Sequence, residues 1–296
     1  MKKLYILDGS GFLFRAYYAF PALSDVNGFN TNVVYGFMRM MCKLFMDKPD
    51  YLVIAWDAPT KNLRHDMYPE YKANRVAAPE DLKNQIPYTQ EIVAQLAIPS
   101  CQIPGFEADD IIATFARKFQ THADVQVTIV SSDKDLKQLI CDNVICKDPM
   151  KNIDISKQDF MTEYGFDPVH MLDYLTLIGD SSDNVPGING IGPKRAQSLV
   201  QQYQTIDNMY ANIATMSEDL RSKLQEGQSH VALSRKLIEL HHITALDTMS
   251  LESFKLNIDF NKYNKVLVQD HNFNSMAKLI DELKKKRIMP VQEWLF

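Results

Sequence analysis

The sequence predicts an α/β fold: a mostly parallel central sheet flanked by helices, followed by a mainly helical half. Three runs, Lys3-Leu-Tyr-Ile-Leu-Asp8, Tyr51-Leu-Val-Ile-Ala-Trp-Asp57 and Val125-Gln-Val-Thr-Ile-Val-Ser-Ser-Asp133, climb through β-favouring apolar residues and stop at an aspartate. Continuous apolar runs of this length read as buried parallel strands. Helical spacing over residues 34–45 and 86–96 separates them, giving the alternation of a sheet wound with helices on both faces. From about residue 160 the β signal fades, and helical windows at 196–203, 220–240 and 275–286 take over.

Taken in order, the first strand delivers Asp8. Gly11-Phe-Leu-Phe-Arg-Ala-Tyr-Tyr18 then spaces its aromatics as a helix packed on the core, with Arg15 able to reach the crevice. Residues 24–32 and 59–87 read as loops or irregular segments. In sheets of this class ligands sit beyond the carboxyl ends of the strands, so Asp8, Asp57 and Asp133 converge on one crevice.

Composition narrows the function. With 296 residues, 46% hydrophobic and 23% charged, the chain buries a real core, which excludes disorder and fibre formation. The apolar run before Asp8 is too short for a signal peptide, and no window approaches the roughly 18 apolar residues of a membrane span. Cys42, Cys101, Cys141 and Cys146 form no Cys-x-x-Cys pair, so they are expected to be reduced thiols of a soluble cytoplasmic protein rather than a disulfide framework or zinc site. The net charge of −5 argues against a nucleic-acid partner unless the acids are gathered in one place.

They are gathered. Besides the strand-end aspartates there are Glu107, Asp109 and Asp110 after a Pro-Gly breaker, Asp135, and the Asp180/Asp183 pair. Alone, acids in the first turn of a helix are explained by the macrodipole, and Gly179-Asp-Ser-Ser-Asp-Asn by a capped turn. Together, nine like charges at sheet ends repel unless cations neutralise them. Oxygen ligands suit Mg²⁺ or Mn²⁺, and an excess over one octahedral ion suggests two ions, as in phosphodiester cleavage. Setting these nine charges aside turns −5 into +4 for the remaining surface.

Two further segments fit a nucleic acid. Leu63-Arg-His-Asp-Met-Tyr-Pro-Glu-Tyr-Lys-Ala-Asn-Arg75 interleaves Arg64, Lys72 and Arg75 with Tyr68 and Tyr71, cations for phosphates and rings for bases; a solvated amphipathic loop would look the same. Pro186-Gly-Ile-Asn-Gly-Ile-Gly-Pro-Lys-Arg-Ala196 reads as two helices joined by a glycine hairpin, where Gly190, Gly192, Lys194 and Arg195 could hold a phosphate; a plain helix-helix turn is the competing reading. It matches neither a Walker A loop nor a dinucleotide fingerprint.

Read in order, Ile6-Leu-Asp-Gly9, Val34-Tyr-Gly-Phe37, Ala55-Trp-Asp57, Tyr71-Lys-x-x-Arg75, Gly105-Phe-Glu-Ala-Asp-Asp110, Ser132-Asp-Lys-Asp-Leu136 and Gly179-Asp-Ser-Ser-Asp-Asn-Val-Pro-Gly-Ile-x-Gly-Ile-Gly-x-Lys194 resemble the 5′-nuclease (flap endonuclease) family, as in the N-terminal domain of bacterial DNA polymerase I. The resemblance covers residues 1–285. It implies a PIN-like nuclease core (1–170), with an arch near 59–87 that passes the single strand, and a helical DNA-binding region (171–285) with a helix-hairpin-helix. It implies two Mg²⁺ (or Mn²⁺) ions, one at Asp8, Asp57, Glu107 and Asp109, the other at Asp133, Asp135, Asp180 and Asp183, with Asp110 acting through water. Lys72 and Arg64 are the candidates for a cation on the scissile phosphate, Arg15 for a phosphate clamp, Tyr71 and Arg75 for DNA contacts, and the hairpin for K⁺ held by main-chain carbonyls. The resemblance implies cutting of 5′ flaps and trimming of 5′ ends of DNA in replication and repair, such as removal of RNA primers, without choosing among flaps, nicks, gaps and RNA-primed ends; a monomer at the nucleoid is the default expectation.

No polymerase segment follows, so the chain is expected to be a stand-alone relative or an excised domain. Residues 286–296 form a tail, in which Gln292-x-x-Leu295-Phe296 resembles the peptide by which bacterial replication proteins dock on the sliding clamp; an aromatic tail folded on the body is the alternative. Two other functions stand beside the nuclease. One is a DNA-binding module that does not cut. The other is an aspartate phosphatase, for which Asp8-Gly-Ser10 lacks the second aspartate.

Overall fold

In the computed structural model, which describes residues 1–288, the strands are β1 (Lys2–Asp8), β2 (Tyr51–Trp56), β3 (Ser100–Gln102), β4 (Val125–Val130), β5 (Val144–Asp148) and β6 (Ile153–Ile155). They form one sheet in the order β3-β2-β1-β4-β5-β6, parallel except for β6, which runs antiparallel to β5. The three expected strands are its centre. Every residue of β2 and Leu4 to Leu7 of β1 are buried, because helices cover both faces. Register then places the acids: Asp8 pairs with Ala55, two residues before Asp57, and Leu7 pairs with Val130, three before Asp133.

The helices are α1 (Gly9–Ala19), α2 (Asn32–Phe45), α3 (Leu63–Met67), α4 (Glu80–Gln95), α5 (Ala108–Phe119), α6 (Lys157–Tyr164), α7 (Met171–Ile178), α8 (Pro193–Tyr203), α9 (Ile206–Ala211), α10 (Glu218–Ile238), α11 (Phe260–Tyr263) and α12 (Met276–Ile288). Phe12, Phe37, Phe45, Ile92 and Ile280 bring α1, α2, α4 and α12 onto one face of the sheet. On the other face Ile111, Phe115 and Phe119 of α5 join Leu175, Ile188, Leu199 and Leu224 in a cluster continuous with Val53 and Ile129, so the helical half shares a core with the sheet. Glycine is required where β1 turns into α1: a Cβ on Gly9 would lie 2.4 Å from the Trp56 ring.

Two expectations need correction. The segment 59–87 is not a continuous loop: α3 forms inside it, and α4 begins at Glu80, six residues before the expected start and with Pro87 in its interior. Tertiary contacts override the proline. Leu82 is fully buried, and the buried Gln85 side chain accepts from Val33 N (2.9 Å) and donates to Asn32 Oδ1 (3.0 Å). Strands β3, β5 and β6 are not foreseen by the sequence: β3 and β6 have three residues each and carry no alternation to read, and the five of β5 are a short mixed run, Val-Ile-Cys-Lys-Asp, without the long apolar climb of the central strands.

Candidate metal centre

Five aspartates at the sheet end have no paired cation among the described residues. Asp8 caps α1, accepting from Gly11 N (2.8 Å) and Ser131 Oγ (2.9 Å); burial, with Asp57 and Asp133 nearby, pushes its carboxyl up to about 6. Asp109, in the first turn of α5, is raised well above the ordinary range by burial and by Asp133, Asp8 and Asp57. Asp133, which accepts from Asp135 N (2.8 Å), is raised by burial and by the Asp183 and Asp180 charges. Burial and the Asp133 charge push Asp135 up to about 7, and its Oδ1 is buried without a hydrogen-bond partner among the described residues. Asp57 Oδ1 accepts from Ala108 N (2.8 Å), tying the end of β2 to the start of α5. A cleft of about 600 Å³ opens here, lined by Asp8, Ser132, Asp133, Lys134 and Asp180.

The remaining acids meet cations. Glu107 Oε1 receives Lys72 Nζ (2.5 Å) and Asn62 Nδ2 (2.7 Å), while Tyr71 Oη donates to Oε2 (3.2 Å). Burial would raise Glu107, but Lys72 and Arg64 outweigh it and hold the carboxyl below its usual value. Asp183 pairs with Arg75, whose Nε lies 2.9 Å away, and Asp180 with Lys134 Nζ at 2.9 Å. Residues 70–75 are laid across the turn bearing these acids: Lys72 N donates to Asp183 O (2.9 Å) and Asn184 Nδ2 to Glu70 O (2.8 Å).

Three sequence expectations fail here. Tyr71 is 4% exposed and bonded to Glu107, so it offers no face to a base. Arg64 is 2% exposed and engaged with Asp110, so it is no free cation for a phosphate. Asp110 is 1% exposed; its oxygens accept from Arg64, from Glu107 N (3.2 Å) and from His241 N (2.8 Å), leaving it no room as a metal ligand, direct or through water. Arg15 does reach the crevice: Nη2 donates to Ser132 Oγ (2.8 Å), and its buried Nη1 has no partner among the described residues. Lys134, Asn62 and Ser131 were missed. Lys134 stood in plain view between Asp133 and Asp135, but neither Asn62 nor Ser131 carries a motif of its own.

The donor set fits hard divalent ions. Eight carboxylates remain without histidine or cysteine, and a cation would relieve both the mutual repulsion and the orphaned Asp135 Oδ1. Among the described residues no three of these side chains close into a ready coordination cage, and the pairing of Glu107, Asp180 and Asp183 with Lys72, Lys134 and Arg75 accounts for part of that.

The hairpin lies between α7 and α8. Gly190 has φ +76° and its backbone passes so near Lys223 that a Cβ would fall 2.7 Å from Cε. Gly192 precedes Pro193 at the first position of α8, and Lys194 and Arg195 are exposed, Arg195 Nη1 reaching Gly190 O and Asp219 at 3.2 Å each. The tail residues Gln292, Leu295 and Phe296 lie outside the described residues.

Comparison with known proteins adds sequence and structural neighbours. Residues 3–165 match the model for the 5′-3′ exonuclease N-terminal resolvase-like domain, and 166–261 that for the 5′-3′ exonuclease C-terminal SAM fold. A 5′-3′ exonuclease of Aquifex aeolicus (strain VF5) is 41% identical over 287 residues, covering 96% of both chains. One of Bacillus subtilis (strain 168) is 34% identical over 297 residues, 97% of this chain and 99% of that one. The chain also matches 28% of DNA polymerase I from Caldicellulosiruptor bescii, at 37% identity over 242 residues. Among solved structures, the T5 D15 protein co-crystallised with metal ions superposes with a TM-score of 0.69 at 18% identity, over 96% of this chain and 99% of that one. The catalytic core of Rad2 in complex with DNA substrate gives 0.64 at 17% identity, over 95% and 92%.

Proposed function

The chain belongs to the 5′-3′ exonuclease family, and from that premise we propose that it is a structure-specific nuclease that hydrolyses DNA phosphodiesters at 5′ flaps and 5′ ends, in removal of flaps and RNA primers. The observation that carries this reading is the convergence of eight carboxylates on the ends of β1, β2 and β4, with Asp8 and Asp135 pushed up to about 6 and 7 by burial and mutual repulsion. Such a cluster is a standing demand for cations.

In this reading Asp8, Asp57, Glu107 and Asp109 hold one Mg²⁺ or Mn²⁺, and Asp133, Asp135, Asp180 and Asp183 the other. The bound ions would supply a water of lowered pKa and neutralise charge on the phosphoryl oxygens. The protein's own groups do the positioning. Lys72, 20% exposed in its side chain and seated on Glu107, turns its ammonium to the scissile phosphate; Arg75 tracks the next phosphate; and Arg15 Nη1, buried without a partner, clamps a third. Each provides charge that interacts more strongly with the transition state than with the ground state.

The same proposal assigns residues 1–170 to catalysis and 171–285 to duplex binding, with Gly190, Gly192, Lys194 and Arg195 contacting the backbone of the DNA and main-chain carbonyls of the hairpin taking K⁺. It assigns Gln292, Leu295 and Phe296 to a sliding clamp, by apolar anchors entering a pocket. It describes a monomer working in the cytoplasm at the nucleoid. No helix among the described residues is long and apolar enough to cross a membrane.

The deciding experiment is cleavage of a 5′-labelled flap duplex with and without Mg²⁺, comparing the parent with Asp180→Asn and Lys72→Ala. Metal-dependent incision near the junction is expected, with each variant slowed at least about a hundredfold. Tight flap binding without incision in Mg²⁺ or Mn²⁺ would overturn the reading and leave a binding module.

A further inference from the structure

Resting on that reading of Glu107 and Asp109, we infer that Arg64 is a positioning residue: it fixes the turn carrying these two acids against the root of the 59–87 segment and the exit of α10. All three parts of its guanidinium are spent on this. Nε donates to Leu237 O (2.7 Å), Nη1 to Asp110 Oδ2 (2.8 Å), and Nη2 to both Asp110 Oδ1 and Glu239 O (2.9 Å each), while Glu107 Oε2 stands 3.2 Å from Nη1.

Asp110 completes the junction. Its Oδ2 accepts from Glu107 N (3.2 Å) in the capping box that opens α5, and its Oδ1 from His241 N (2.8 Å) just beyond α10. Thr114, one turn further along α5, accepts from Ile243 N (3.0 Å). Three stretches distant in sequence therefore meet at one ion pair, which is buried at 3% and 1% side-chain exposure.

The frame extends to the hairpin. Gly227 of α10 lets Ile188 approach so closely that a Cβ there would lie 2.8 Å from its Cγ2, and Ser234 Oγ donates to Pro186 O. A duplex seated on the hairpin is thus referred, through α10 and Arg64, to the acids that hold the ions. The planar fork is what the place demands: a lysine supplies a point charge and cannot serve two carboxylate oxygens and two carbonyls at once. Groups that orient metal ligands in this way are worth about 10–100-fold in metal affinity or activity.

The test uses the full chain, with Mn²⁺ alone titrated calorimetrically, thermal melting, and the position of incision on a 5′ flap duplex. Two variants are compared with the parent, Arg64→Lys and the double change Arg64→Met with Asp110→Leu, because buried ion pairs replaced by packed apolar side chains commonly keep stability. Each folded variant is expected to bind Mn²⁺ at least tenfold more weakly and to spread its incision over neighbouring phosphates. If Arg64→Lys does not fold, the double variant decides.

Parental Mn²⁺ affinity and a parental incision site in a folded variant would overturn the inference, as would losses that vanish once stability is restored in the double variant. Asp109→Asn serves as the control. If it abolishes Mn²⁺ uptake while the Arg64 variants bind normally, the positioning role fails and the metal centre stands; if the parent takes up no Mn²⁺, the proposed function fails and this inference with it.

Discussion

Two cations of one segment, eight residues apart, reach two carboxylates three residues apart. Arg64 meets Asp110 with both partners almost wholly shielded from water, whereas Lys72 meets Glu107 with a fifth of the lysine side chain still in solvent. The first pair is closed: every oxygen of Asp110 is saturated by Arg64 and by backbone N–H groups. The second is a single ammonium contact that a metal ion or a phosphate can replace, and the Lys72 backbone is held in the left-handed region (φ +58°). Similar chemistry therefore serves opposite ends, because burial decides whether an ion pair is fixed or exchangeable.

The largest effect should come from breaking the closed pair. Asp110→Ala leaves a guanidinium buried without its counter-ion, and a loss of about 3–5 kcal/mol is expected, read as a drop of roughly 10 °C in melting temperature. A drop under about 2 °C would show that the pair is not closed.

A smaller effect separates the unpaired acids from both pairs. Asp8 and Asp135 have folded-state pKa values raised to about 6 and about 7, so their contribution to stability is present at low pH and is lost as pH rises through these values. Without metal, the melting temperature should rise by a few degrees between about pH 8 and pH 5.5. Mg²⁺ should raise it at pH 8 and do little at pH 5.5, where protons compete for the same oxygens. A metal shift that is equal at both pH values would place the ions elsewhere.

The smallest effect concerns stability at the open pair. Lys72→Ala should change it by about 1 kcal/mol or less in chemical denaturation, while incision falls steeply. A loss as large as that of Asp110→Ala would erase the contrast between the two pairs.

What the sequence made legible was the sheet end. Asp8, Asp57 and Asp133 close apolar runs, and a run buried on both faces has only its ends for charged residues; the Pro-Gly before Glu107 likewise marks the start of α5. What it hid was direction. Arg64, Tyr71 and Asp110 have the residue types of a DNA path and a metal site, but Arg64 sits in α3, whose five residues are too few for a periodic pattern to show which side turns inward, and Tyr71 in the turn after it has no period at all. Arg64 and Asp110 are held by Leu237, Glu239 and His241, more than 125 residues away, and Tyr71 by Glu107 and Asp183, and no local signal carries contacts of that range.

Arg287, near the end of α12, donates to the carbonyls of Phe45 and Pro49, the residues that lead into β2, whereas Asp57 follows the last residue of the same strand. These poles are separated by the length of a six-residue strand, about 20 Å. A bead or a surface attached beside Arg287 would therefore hold the molecule at the end of β2 remote from Asp57, with the acid-lined strand ends facing away.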